Sequence, residues 1–178
     1  MYLSLKILRS ISVSPQSARR IPPFLYLLFC LTGHSVFSAE EELSRLRRST
    51  EYTRQVNLYV QELENLERRF GPYDRSLLEP LDALITLHSS VDDFAEINSL
   101  LGRQLQLLHV TEGPNAFSQL PILESLIRNN LEIKNFESVT NNFENRQYVF
   151  LQNPDSTVEQ KLASMDDLRN WYLTAFNL

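Results

Sequence analysis

Residues 78–94 read LEPLDALITLHSSVDDF, and 42 residues later, over residues 120–136, the chain reads LPILESLIRNNLEIKNF. Four identities at the spacing of a buried helix face align Leu81, Leu84, Ile85 and Phe94 with Leu123, Leu126, Ile127 and Phe136. Ile97 and Leu101 align with Val139 and Phe143, and another step of 42 residues reaches Met165 and Leu168. A fixed stride of apolar residues is typical of repeat proteins, in which each unit buries its face against the next.

Each repeat is predicted to contain two helices joined by a short polar turn. The predicted helices cover residues 76–88 and 93–108 in the first unit and 119–132 and 135–151 in the second. Asp93 and Asn135 stand just before the second helices, where a capping side chain is expected. No segment shows the alternation typical of a strand. We therefore expect an all-α fold in which residues 71–178 form about two and a half antiparallel helix hairpins, a short α-solenoid.

A long amphipathic helix is predicted before the repeats, over residues 40–70. Residues 41–70 contain neither Gly nor Pro, and Gly71-Pro72 follows as a helix stop. The apolar residues recur seven apart as Tyr52, Tyr59 and Leu66 and as Val56, Leu63 and Phe70. We expect this helix to pack against the rest of the chain, since three heptads are the minimum for the alternative, a free coiled coil.

The repeat unit resembles the tetratricopeptide repeat, because leucines occupy the fourth and seventh places of its first helix and a large residue follows in its second. The period of 42 residues is similar to the longer variety of that repeat. The segments GPYD (71–74), LEPL (78–81) and QLPILE (119–124) also resemble exported repeat proteins of Gram-negative bacteria. The resemblance covers residues 71–178. It implies a non-enzymatic scaffold for protein interaction, in which the first helices line a concave groove.

The chain departs from the tetratricopeptide pattern at positions where small residues are usual. The departures are Ile85, Ile127 and Arg169 at the eighth place, Ile97 and Val139 at the twentieth, and Asp92 and Lys134 at the turn glycine. Larger side chains at these places predict helix pairs that lie farther apart, or cross differently, than in the family.

The N-terminal segment has the order of a secretory signal peptide. Residues 1–39 carry four basic and no acidic side chains, and Arg19-Arg20 precedes the apolar run FLYLLFCLTGHSVFSA of residues 24–39. We expect residues 1–39 to be cleaved after Ser38 or Ala39, which implies a periplasmic or secreted protein. A retained membrane anchor, a misplaced start codon and a buried segment are the alternatives. Cys30 is interpreted as a small hydrophobic residue, not as a lipidation site.

Charge and motif content argue against several function classes. Residues 40–178 carry 13 basic and 22 acidic side chains, a poor match for nucleic acid. No nucleophile with a base, metal-ligand spacing or phosphate-binding glycine loop is recognisable, so we expect no catalytic residue, cofactor or metal. His88 lies at an apolar position of the first helix and is interpreted as a packed ring. Adjacent acids such as Asp92-Asp93 are interpreted as caps and solvated faces.

Recognition of a protein or peptide is the remaining function. The family's groove positions fall on residues of the first helices, and the unpaired last helix adds one aromatic residue to the expected binding surface: Glu79, Asp82, Thr86, Glu124, Arg128, Asp166, Asn170 and Trp171. Such a groove is mostly acidic and favours a basic or amine-bearing peptide. An ordinary polar helix surface is the alternative interpretation.

Residues 162–178 match only the first helix of a third unit. This last helix is expected to act as a cap, to mark a truncated chain, or to present a binding surface. The leading hypothesis is an exported interaction scaffold. The alternatives are a component of the cell envelope that associates with itself through residues 162–178 and, behind it, an enzyme with an unrecognised site.

Overall fold

The computed structural model describes the backbone of residues 23–177 and the side chains of residues 41–177. Within this range the chain forms helices and no strand, which confirms the predicted all-α class. The helices are α1 (Pro23–Phe70), α2 (Leu78–Ser89), α3 (Phe94–Glu112), α4 (Leu120–Glu132), α5 (Phe136–Gln152) and α6 (Val158–Ala175). Helices that follow one another from α2 to α6 pack side by side, so α2–α3 and α4–α5 are two successive hairpins.

The chain forms two structural units, residues 1–48 and residues 49–178, and α1 contributes to both. In the first unit the side chains of residues 41–48 are exposed, and Arg45 pairs with Glu41 one turn away at 2.9 Å. The signal peptide is predicted over residues 1–39, and the side chains of these residues lie outside the described part of the structure. In the part of the chain that the structure describes, no helix is long and apolar enough to cross a membrane.

The stride of 42 residues extends to the backbone between the helices. A short 3-10 turn precedes α2 at Arg75–Leu77, and its counterpart precedes α4 at Phe117–Gln119. Gly71 and Gly113 both have positive φ, 92° and 98°. Because equivalent residues adopt equivalent conformations outside the helices as well, residues 71–152 consist of two structurally matched units.

The turns within the hairpins also match. Asp93 caps α3 by accepting a hydrogen bond from the Glu96 amide, and Asn135 caps α5 in the same way from the Ser138 amide, as predicted. The preceding residues, Asp92 and Lys134, have φ of 55° and 56°. Both residues therefore adopt the left-handed conformation, which glycine adopts more readily than other residues.

The C-terminal part of α1 takes the place of a second helix, whereas its sequence predicts a helix separate from the repeats. Tyr59 lies 42 residues before Leu101. Tyr59, with Leu63 of the same helix, packs against the core around α2, and Leu101 packs against Leu126 of α4. The ordered array therefore begins with the half-hairpin of α1 before α2 and ends with the half-hairpin of α6.

The last helix starts earlier than the stride predicts. A step of 42 residues from α4 gives a start at Leu162, whereas α6 begins at Val158. The reason is local: Thr157 and Gln160 form a capping box, in which each side chain accepts a hydrogen bond from the other residue's amide. This cap adds one helical turn to α6.

Candidate functional site

The predicted binding residues lie on the first helices of the hairpins, α2, α4 and α6. Asp82, Glu124 and Asp166 share one repeat position, and one turn further along, Thr86, Arg128 and Asn170 share another. All six are exposed, as is Glu79. We call these seven residues the first-helix surface.

Asp82 is bound to the interior of its own hairpin. Its carboxylate accepts a hydrogen bond of 2.6 Å from the side-chain amide of Gln104, which is 3% exposed. A buried amide without a partner is costly, so this carboxylate stabilises the fold. Thr86 is also used locally, because its hydroxyl donates to the Asp82 carbonyl at 2.9 Å. The α2 contribution to the surface therefore depends chiefly on Glu79.

The centre of the first-helix surface is less engaged. Glu124 is exposed, and its carboxylate forms no ion pair or hydrogen bond within the part of the chain that the structure describes. Arg128, one turn away on α4, donates only to the Ser125 hydroxyl, at 3.3 Å. Both charges are free to meet a ligand at little cost, because neither has to leave a strong intramolecular partner.

The α6 residues divide into a surface set and a core residue. Asp166 pairs with Arg169 on the same helix at 3.1 Å, and both side chains are exposed. Trp171, in contrast, is only 6% exposed: its ring stacks on Phe143, and its indole N–H donates to the Thr140 hydroxyl at 2.8 Å. Trp171 is a packing residue of the α5–α6 interface, so the structure places it away from the first-helix surface.

His88 occupies a junction of three helices. Its ring meets Tyr52 of α1 edge-on, with centroids 6.0 Å apart. Its Nδ1 atom lies 3.2 Å from both the Tyr52 hydroxyl and a carboxylate oxygen of Asp93. Burial raises the pKa of the Tyr52 phenol, and the carboxylates of Asp93 and Glu96 add to the effect. This arrangement ties α1 to the turn between α2 and α3.

Within residues 41–177 no group of three His, Cys, Asp or Glu side chains lies close enough together to bind a metal ion.

Buried polar side chains form contacts between helices. Asn129 on α4 donates to the Phe94 carbonyl at 3.0 Å and to the Asn98 side chain at 2.9 Å. This amide contact fixes the register of α4 against α3.

A second surface is the outward side of α6, of which the sequence predicts only the aromatic residues of the last helix. Large apolar side chains on it are exposed: Val158, Leu162, Met165, Tyr172, Leu173 and Phe176. Several of them line a shallow hollow together with Arg169. The missed signal was a spacing alternately four and three residues apart, which runs through Val158, Leu162, Met165, Arg169, Tyr172 and Phe176.

Neither a protein-family model nor a curated protein matches this sequence.

Proposed function

We propose that this chain is a non-enzymatic interaction scaffold of the tetratricopeptide-like kind, which binds a protein segment on its first-helix surface. The observation that carries the proposal is the exposed and unengaged carboxylate of Glu124 beside Arg128, at the centre of a surface repeated from hairpin to hairpin. Two matched hairpins support the family comparison, since equivalent helices, caps and turns recur at one stride.

The charge of this surface favours a basic ligand. Its acidic members are Glu79, Asp82, Glu124 and Asp166, and its one cation is Arg128. A peptide segment carrying Lys or Arg complements such a surface, and its association is expected to weaken as salt rises. Glu79 and Glu124 contribute most, because Asp82 is engaged by Gln104 and Asp166 by Arg169.

We further propose that the protein is exported to the periplasm or secreted. The support is the order of basic residues, apolar run and acidic chain over residues 19–42. N-terminal sequencing of the protein recovered from separated cell fractions tests this directly. A new N-terminus at Ala39 or Glu40 in the envelope fraction supports export, and an intact N-terminus in the cytoplasmic fraction contradicts it.

A crosslinking survey in cell-envelope extracts tests the binding surface. The variant is Glu79→Lys combined with Glu124→Lys, which reverses two exposed charges and leaves the Asp82–Gln104 hydrogen bond in place. We expect crosslinked partners of the unmodified chain to be lost in this variant. Partners that survive the double reversal would remove the first-helix surface from the proposal.

The matched control is Glu64→Lys. Glu64 is also an exposed carboxylate, on α1 and outside the first-helix surface. The control changes net charge in the same direction, so it separates loss of a specific surface from a general change in electrostatics. We expect the control to retain the partners, and equal loss in both variants would contradict a localised site.

A further inference from the structure

We propose that the outward side of α6 binds α6 of a second copy of this chain, so that the protein forms a symmetric dimer through two antiparallel helices. This inference goes beyond the proposed function, because it concerns the outward side of α6, to which Asp166 is the one residue of the first-helix surface that contributes.

The first argument is the exposure of positions that are buried elsewhere in the repeat. Leu81 on α2 and Leu123 on α4 are 0% and 1% exposed, whereas their equivalent on α6, Met165, is 43% exposed. In the first hairpin Leu81 belongs to a core that includes Leu100 and Leu107 of the second helix, α3. α6 has α5 on one side and no helix of the described chain on the other. It therefore presents a helix-sized apolar face.

The second argument is the pattern of that face. Its residues lie alternately four and three positions apart, which is the spacing of a coiled-coil seam: Val158, Leu162, Met165, Arg169, Tyr172 and Phe176. Five of the six are apolar or aromatic and all six are exposed. The seam spans 18 residue steps, or about 27 Å at about 1.5 Å per residue. A second helix of the same length is its natural complement.

The third argument is that this seam complements itself. When two copies run antiparallel, Val158 lies in one layer with Phe176 of the second copy, and Leu162 lies with Tyr172. The central layer combines Met165 with Arg169 of the second copy. The same contacts occur twice because the arrangement has a twofold axis, as most dimers do.

Charge supports the antiparallel arrangement. Arg169 is the one charged residue of the seam, and antiparallel pairing brings it beside Met165 and the neighbouring Asp166 of the second copy. Asp166 already accepts Arg169 within one helix, with both side chains exposed. Exchange of this pair between copies keeps each guanidinium next to a carboxylate, whereas parallel pairing places the two guanidinium groups in one layer.

A head-to-tail arrangement, with α6 packed on α1 of the next copy, is disfavoured by the polarity of α1. In α3, Leu100 and Leu107 belong to the core that includes α2. The residues 42 positions earlier in α1 are Leu58 and Asn65, with the exposed Glu62 between them. Stacking α6 there would bury a carboxylate and an amide against apolar side chains, which is unfavourable.

Sedimentation velocity of the full chain, from about 1 to about 100 µM, tests the dimer in the range where a small interface associates. We expect a monomer–dimer equilibrium. Met165→Glu is expected to weaken it by at least about tenfold, and Arg169→Leu, which removes the charge from the seam, to strengthen it by about tenfold. Both residues are exposed in the single chain, so the substitutions leave the core intact.

Leu58→Glu is the matched control. Leu58 is 50% exposed, close to the 43% of Met165, but lies on α1 and not on α6. The proposal requires Leu58→Glu to leave the dimer unchanged. It is overturned by a chain that stays monomeric throughout, even as Arg169→Leu, by a dimer insensitive to Met165→Glu, or by larger assemblies that Leu58→Glu abolishes. Because Glu79 and Glu124 are unchanged, these outcomes are independent of the crosslinking test.

Discussion

Two glycines of this chain are expected to respond in opposite directions to the same substitution. Gly102 lies within α3 and Gly113 ends that helix, and at neither position would an added Cβ meet another atom within 4 Å. Steric contact of the added Cβ therefore does not contribute to the difference in stability between the two variants. What remains is the backbone: Gly102 is helical, whereas Gly113 has φ 98° and ψ 164°, a region that only glycine adopts readily.

The magnitudes follow from these conformations. Gly102→Ala is expected to raise the free energy of unfolding by about 1 kcal/mol, because alanine is the better helix former. Gly113→Ala incurs about 1–3 kcal/mol of backbone strain, offset by about 0.4–1 kcal/mol from the restricted unfolded chain. The net loss is about 1–2 kcal/mol. The two variants should therefore differ by about 2–3 kcal/mol.

Equilibrium unfolding in urea, followed by circular dichroism at a helical wavelength, measures this difference. With a denaturant dependence of about 2 kcal/mol per molar urea, the midpoint should rise by about 0.5 M for Gly102→Ala and fall by about 0.5–1 M for Gly113→Ala. Equal midpoints for the two variants, or a Gly113→Ala chain as stable as the unmodified one, would refute the assignment of Gly113 to a glycine-specific turn.

Three further expectations can be checked with the same unfolding measurement. Leu123→Ala should lower the free energy of unfolding by about 2–5 kcal/mol, because Leu123 is 1% exposed. Met165→Ala, at the equivalent but exposed position, should lower it by less than about 1 kcal/mol, and similar decreases for the two variants would contradict the difference in burial. Asn129→Ala should cost about 1–3 kcal/mol, since it removes the donor to a carbonyl at the start of α3, and a neutral effect would show that this amide contact does not hold the helices. Burial and the nearby carboxylates of Asp93 and Glu96 raise the pKa of Tyr52, so folding favours the neutral phenol. This contribution to stability is complete below the unfolded pKa of about 10 and is lost as pH rises through the higher folded pKa. Between pH about 9 and about 11 the unmodified chain should therefore lose more stability than Tyr52→Phe, and parallel pH profiles would contradict this role.

Much of the fold was predictable because its signals are local. The stride of 42 residues, the caps at Asp93 and Asn135 and the helix end at Phe70 all follow from side-chain type and spacing within a few residues. Helix periodicity and capping depend on neighbouring backbone groups, so they are readable before any tertiary contact is known. The later start of α6 was predicted by extending the stride, and it was wrong because the capping box at Thr157 is itself a local signal that the stride does not contain.

The candidate site was predictable in position but not in availability. Repeat spacing alone placed Asp82, Glu124 and Asp166 on one exposed line of the first helices. Whether each carboxylate is available to a ligand depends on residues distant in sequence or on the rotamer adopted. Gln104, 22 residues away, donates a hydrogen bond to the Asp82 carboxylate, while Glu124 has no such neighbour in the described chain. Hydrogen-bond partners of this kind exist only after helices pack, so spacing cannot reveal them.

Amino-acid order was sufficient to specify the helices, their ends and the repeat, since these arise from interactions between residues close along the chain. The remaining features depend on packing. The end of α1 occupies the position of a second helix, and Trp171 is buried against α5. Met165 is exposed, whereas Leu81 and Leu123 at the equivalent positions are buried. The physical reason is that a side chain is buried only when another surface packs against it. The same apolar residue is therefore a core residue where another helix lies beside it and an exposed interface residue where none does.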